Sequence, residues 1–186
     1  MRLVFLGPPG VGKGTQANAI CNHFNILHLS TGDILRSEIE NKSNIGLEAK
    51  SFMDQGELVP DTVLLKIIQN KLNHKSAQNG YLLDGFPRTI RQADGLNQIL
   101  LELKQALDVV VSLDANEEEL INRLIKRSLD SGRSDDNPDI IKQRQRVYWK
   151  QTAPLLEYYK NLNLLKNVNG IGEIEQITKR ILKAIN

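Results

Sequence analysis

The chain has 186 residues, 40% hydrophobic and 25% charged, the proportions of an ordinary globular protein with one full core. Its net charge of +2 is too small to specify a nucleic-acid or membrane partner. The single cysteine, Cys21, excludes an internal disulfide and a multi-cysteine zinc site, which fits a reducing compartment.

In chain order, short apolar runs bounded by turn residues alternate with helical patterns. Residues 2–6 predict a buried strand that reaches Gly7 too soon for a signal-peptide apolar region, and no long apolar run follows. A cytoplasmic location with no membrane partner is therefore expected. Residues 7–14 read as a loop, 15–24 as a helix and 27–29 as a short strand. Residues 30–59 carry only helical patterns and turns. Apolar spacing of three and four predicts helices over 61–72 and 89–106, with strands at 81–83, 109–113 and 164–168. Residues 128–138 read as a loop rich in Ser, Asp and Gly. Strand and helix in alternation predict an α/β fold, a doubly wound parallel sheet with helices on both faces. Residues 30–59 and 128–138 are excursions from it.

Gly7-Pro8-Pro9-Gly10-Val11-Gly12-Lys13 fits the G-x-x-x-x-G-K phosphate loop, or P-loop, between a predicted strand and a predicted helix. Glycines let backbone N–H groups turn toward phosphate oxygens, and the helix N-terminus adds partial positive charge. Lys13 places a full charge at the β- and γ-phosphates. Gly14 stands where many such loops carry a Ser or Thr that ligates Mg²⁺. The metal is then expected on phosphates and water, with Asp84 reaching it through a bound water rather than directly. Leu82-Leu83-Asp84-Gly85-Phe86-Pro87-Arg88 ends a strand with a carboxylate, then a turn and an arginine. Alone, that segment reads equally as a solvated turn.

Taken together, these segments resemble the adenylate kinase family. Residues 7–16 resemble its P-loop, Ser30-Thr31-Gly32-Asp33-Ile34-Leu35-Arg36 its first monophosphate-binding segment, and Glu57-Leu58-Val59-Pro60-Asp61 the next. Residues 84–93 resemble its signature; Arg123, Arg127, residues 132–136 and Arg144 look like its lid arginines and aspartates, and Thr152-Ala153-Pro154-Leu155 also matches. The matching order is collinear over residues 1–172.

The resemblance implies a P-loop NTPase-type core (1–29, 60–127 and 137–186), a monophosphate-binding region (30–59) and a short lid (128–136) without the zinc of some longer-lid relatives. The implied activity is reversible, Mg²⁺-dependent phosphoryl transfer between ATP and AMP, giving two ADP. The implied ATP site comprises Gly10, Val11, Gly12, Lys13, Gly14, Thr15, Arg123, Arg127 and Gly172. The implied AMP site comprises Thr31, Arg36, Glu57, Leu58, Val59, Gly85, Phe86, Pro87, Arg88, Gln92, Arg133 and Arg144. Lys13, Arg88, Arg123, Arg133 and Arg144 would carry catalysis by neutralising phosphate charge, with no general base, because AMP phosphate is already anionic. Arginine's planar fork suits that task. Gln92 would both accept from and donate to the adenine edge.

A UMP/CMP kinase, a non-catalytic nucleotide sensor and a nucleic-acid binder are the alternatives. The last lacks a stacking surface, since Trp149, four Tyr and four Phe do not interleave with the basic run of residues 123–146. That run, alone, reads as a solvated helix face. The family resemblance favours a monomer.

Overall fold

Strands β1 (Arg2–Leu6), β2 (Leu27–Ser30), β3 (Tyr81–Asp84), β4 (Val109–Asp114) and β5 (Leu165–Asn169) form one sheet, ordered β2-β3-β1-β4-β5. Every neighbouring pair is parallel. The computed structural model describes residues 1–131 and 137–186.

Parallel strands bury both faces, so their side chains feed two cores. Leu3 and Phe5 of β1, Leu82 of β3, and Val109, Val111 and Leu113 of β4 enter one. There they pack with Ala17 and Ile20 of α1 (Lys13–Phe24) and Ile177 and Ile181 of α9 (Ile174–Ile185). Val4, Leu6, Tyr81, Leu83 and Val110 enter the other. That core is completed by Ile67 and Ile68 of α4 (Asp61–Leu72), Leu96 and Leu100 of α5 (Ile90–Glu102), and Leu155 and Tyr159 of α8 (Pro154–Asn161).

Between β2 and α4 the chain leaves the sheet as two helices, α2 (Thr31–Glu40) and α3 (Asn44–Asp54). Each opens on a serine cap: Ser30 Oγ accepts from Asp33 N at 3.3 Å, and Ser43 Oγ from Gly46 N at 3.0 Å. After β4 come α6 (Glu117–Ser131), α7 (Pro138–Val147) and a π-helical turn, Tyr148–Thr152.

Most boundaries fall within two residues of expectation, and two differ by more. The helix predicted over 89–106 ends at Glu102, because Lys104 takes a left-handed φ of 54°. Its N–H donates to Leu101 O and that of Gln105 to Leu100 O, the double bond of a Schellman stop. Residues 128–131, read as loop, continue α6. Three glutamates in that helix's first turn complement the positive end of the helix dipole, and no breaker intervenes before Gly132. None of the described helices is long and apolar enough to cross a membrane.

Candidate active site

The site forms where the strands' carboxyl ends meet the crevice, as in other doubly wound sheets. Gly7, Gly10 and Gly12 follow β1 with φ of 141°, 90° and 96°, a left-handed sequence that side-chain-bearing residues resist. It delivers the chain to α1, whose N-terminus has no side-chain cap and no acidic residue in its first turn. Its N–H groups and dipole are thus left for an anion from outside.

Lys13 folds back over this loop, donating from Nζ to Gly7 O at 2.7 Å and Pro8 O at 3.2 Å. Burial lowers its pKa to about 8; Asp84 opposes the shift, while Arg88, Arg144 and Arg127 add to it. Asp84 ends β3 almost buried, with His28 Nε2 3.5 Å from its Oδ2 and His28 Nδ1 3.0 Å from Asn18 Oδ1. A Cβ on Gly14 would lie 3.5 Å from the same Asp84 oxygen. The missing side chain therefore keeps the carboxylate open toward the phosphate loop.

Past Asp84 the chain turns back on itself. Thr31 Oγ1 donates to Gly85 O at 2.9 Å, and Arg88 Nε donates to the same oxygen at 2.8 Å. Arg88 O accepts from Thr152 Oγ1 at 2.9 Å, which ties the turn to the π-helical segment. Thus the guanidinium is aimed by both its side chain and its backbone.

Two neighbouring cavities and a larger cleft share these residues. One is lined by Thr31, Arg36, Glu57, Leu58, Val59, Gly85, Arg88 and Arg144. A second lies against Lys13, Pro87, Arg88, Arg144 and Thr152. The open cleft is lined by Gly10, Gly12, Lys13, Gly14, Thr15, Asp84, Arg88, Arg123, Arg127 and Arg144. Arg88 and Arg144 line all three, so one pair of cations faces both halves of the site.

A family model described as Adenylate kinase matches residues 5–164. The chain belongs to the adenylate kinase family. An adenylate kinase of Leptospira biflexa serovar Patoc (strain Patoc 1 / Ames) is 50% identical over 184 residues, 99% of each chain. One from Synechococcus sp. (strain CC9902) is 49% identical over 185 residues, 100% of this chain and 98% of the relative. One from Bifidobacterium longum (strain NCC 2705) is 48% identical over 182 residues, 98% of both.

Within this adenylate kinase fold, four of the expected residues stand back from the cavities. Val11 and Phe86 are fully buried in the two sheet cores, so only their backbone faces the loop they belong to. Gln92 is also fully buried and bonded within the protein: its Oε1 accepts from Arg88 N and its Nε2 donates to Asp61 Oδ1, both at 2.7 Å. Gly172, with φ 121°, sits in the β5–α9 loop near Gly170. Gly170 O accepts from Arg123 Nη1 at 3.0 Å, and Arg123 Nε donates to Glu119 Oε1 at 2.7 Å. Arg36 is paired with Asp33. Arg133 lies outside the described residues.

The structure also brings in residues that carry no assigned role in the sequence reading. Asp33, His28, Asn18 and Lys126 line the cleft, and Tyr148 the second cavity. Gln145 Nε2 donates to Pro9 O at 3.1 Å, fastening α7 to the phosphate loop. Thr152 and Asp61 belong to segments that resemble the family, but their partners are 64 and 31 residues away, which no local pattern reveals.

Proposed function

We propose that this chain catalyses reversible phosphoryl transfer from ATP to AMP, giving two ADP, with ATP on the phosphate loop and AMP in the cavity beneath α2 and α3. The observation carrying this reading is that Arg88 and Arg144 line both the AMP-side cavity and the cleft holding Lys13. Two polyanions must meet there, and shared cations lower the cost of bringing them together.

Lys13 and the α1 N-terminus hold the ATP phosphates, with Arg123 and Arg127 on the same side. Arg36 and Arg88 hold the AMP phosphate, and Arg144, with Arg133 from the proposed lid (128–136), faces the transferring group. Thr31, the backbone of residues 57–59 and Gly85 surround the adenine of AMP, and Gln92 reads its edge. The core comprises residues 1–29, 60–127 and 137–186, and residues 30–59 form the monophosphate-binding region.

The donor set fits Mg²⁺ carried on ATP. Asp84 is the carboxylate at the cradle, and no cluster of three metal-ligating side chains occurs among the described residues. Mg²⁺ commonly keeps its waters and takes only one or two carboxylates beside phosphate oxygens. Asp84 would accept from a metal-bound water, and the metal would supply charge neutralisation on the β- and γ-phosphates. We take the protein to act as a cytoplasmic monomer without zinc, membrane or nucleic-acid partners.

An ADP-formation assay against all four nucleoside monophosphates tests the reading. AMP with ATP and Mg²⁺ should be the preferred pair, and excess chelator should abolish turnover. Preference for UMP or CMP, or full activity in chelator, would refute it.

A further inference from the structure

Asp61 opens α4 at the exit from the monophosphate-binding region, where it joins that helix to the signature turn. Its Oδ1 accepts from Gln92 Nε2 at 2.7 Å, and its two oxygens lie 3.3 and 3.4 Å from Thr89 Oγ1, which donates to them. The Thr89 oxygen accepts from Gln92 N at 3.0 Å and so caps α5. On its other side Gln92 Oε1 accepts from Arg88 N at 2.7 Å. Every link in this chain of bonds is part-buried, and Gln92 itself has no exposed surface.

This wiring leaves Gln92 one orientation. A primary amide can be flipped end for end at almost no steric cost, so its direction is set by its partners. A carboxylate offers only acceptors and a peptide N–H only a donor. Asp61 therefore takes the NH₂ end and Arg88 N–H takes the oxygen. Two of the amide's four hydrogen-bonding positions are then occupied, leaving one hydrogen and one lone pair. Once AMP binding opens access to the buried amide, that remaining pair, in that order, would complement adenine, whose ring nitrogen accepts and whose exocyclic amine donates. A 6-oxopurine presents the reverse order, a ring N–H and a carbonyl, and would fit the flipped amide.

We infer that Asp61 is a specificity-positioning residue: its carboxylate fixes the Gln92 amide in the direction that reads adenine and rejects a 6-oxopurine monophosphate. The inference rests on the proposed role of Gln92 at the AMP base. Asp61 touches no substrate and acts only through Gln92.

The test compares AMP with inosine monophosphate in the full-length enzyme. Asp61→Ala should raise the AMP KM roughly tenfold or more, because a buried amide donor loses its acceptor. The ATP KM should stay unchanged, and the AMP-over-IMP ratio of kcat/KM should fall by a similar factor. Asp61→Asn keeps an acceptor oxygen for Gln92 and should recover the AMP KM to within a few-fold. Should the alanine variant not fold, Asp61→Ser, polar but too short to reach Gln92, carries the same expectation. Added to Gln92→Leu, the Asp61 change should cost no further selectivity. An unchanged base ratio in a folded Ala or Ser variant, an equal rise in both KM values, or an undiminished loss on the Gln92→Leu background would overturn the inference. If Gln92→Leu alone leaves AMP KM and base ratio intact, the reading of Gln92 fails and the inference with it. If Gln92→Leu alters both while Asp61→Ala alters neither, the inference alone fails.

Discussion

Lys13 shows how a single side chain trades stability for function. Its ammonium is held on Gly7 O and Pro8 O among Arg88, Arg127 and Arg144, and its pKa falls from 10.5 to about 8. Between those values the unfolded chain binds more protons than the folded one, so stability rises with pH across that window. Below about pH 8 the folded protein bears the whole cost of holding the charge. A bound polyphosphate reverses the balance, because its negative charge favours the ammonium. Nucleotide binding should therefore take up protons above about pH 8 and weaken as the pH rises further. Calorimetry in two buffers of different ionisation enthalpy checks this; equal apparent enthalpies above that pH would refute it. Lys13→Met should abolish the uptake and lose about 3–4 kcal/mol of transition-state stabilisation, read from kcat/KM. It should also stabilise the ligand-free protein below pH 8, a gain that fades at higher pH. At this scale the phosphate loop and signature turn are legible in sequence because their function is contiguous. The Asp61–Gln92 bond and the His28–Asp84 approach are not, since they join separate elements through the fold.

The helical pair that flanks the proposed AMP cavity depends on one close crossing. A Cβ on Gly46 of α3 would stand 2.1 Å from Glu38 O of α2, well inside contact distance. The obstacle is backbone, which cannot rotate away as a side-chain tip does. Gly46→Ala should force α2 and α3 apart, destabilise the protein by about 1–3 kcal/mol and raise the AMP KM more than the ATP KM. Denaturant unfolding and steady-state kinetics measure both effects. Wild-type stability would show that the crossing relaxes freely. The crossing is invisible in sequence, where Gly46 is one glycine inside a stretch that reads only as helical patterns and turns, and the serine caps that start the two helices emerge only in the structure. Helix ends are no more legible. The α5 stop depends on Lys104 adopting φ 54°, a conformation that sequence signals through Gly or Asn rather than Lys. The extension of α6 through residues 128–131 is a similar case: Ser and Asp suggest a loop, but they also close a helix already running from Glu117.

At the scale of the whole molecule, the cleft gathers cations from separate elements of the fold around one opening. Lys13, Arg36, Arg88, Arg123, Lys126, Arg127 and Arg144 line it, with Asp33 and Asp84 as the acidic members among the described residues. They come from the phosphate loop, α2, the signature turn, α6 and α7, so charge brought into the cleft acts on every part at once. Several struts already tie these parts together. Gln145 fastens α7 to Pro9 O, Gln143 of the same helix bonds Glu57, and Ile140 and Arg144 approach within 3.1 and 3.2 Å of where a Gly56 Cβ would stand. Movement of α7 should consequently be felt at both proposed nucleotide sites. Adenylate kinase is itself a known example of lid closure that keeps water from the transferring group; the specific expectation here concerns where closure is driven from. A bisubstrate dinucleotide, two adenosines joined by phosphates, should protect residues 30–59 and 128–137 from hydrogen exchange together. Its protection should weaken as salt screens the phosphates. Arg133→Ala should lower kcat strongly and leave ATP affinity nearly unchanged, because the proposed ATP cradle of Lys13 and the α1 N-terminus is untouched. Equal exchange with and without the ligand would remove residues 128–136 from the closing machinery. Protection of only one segment would mean that α7 does not couple the two sites.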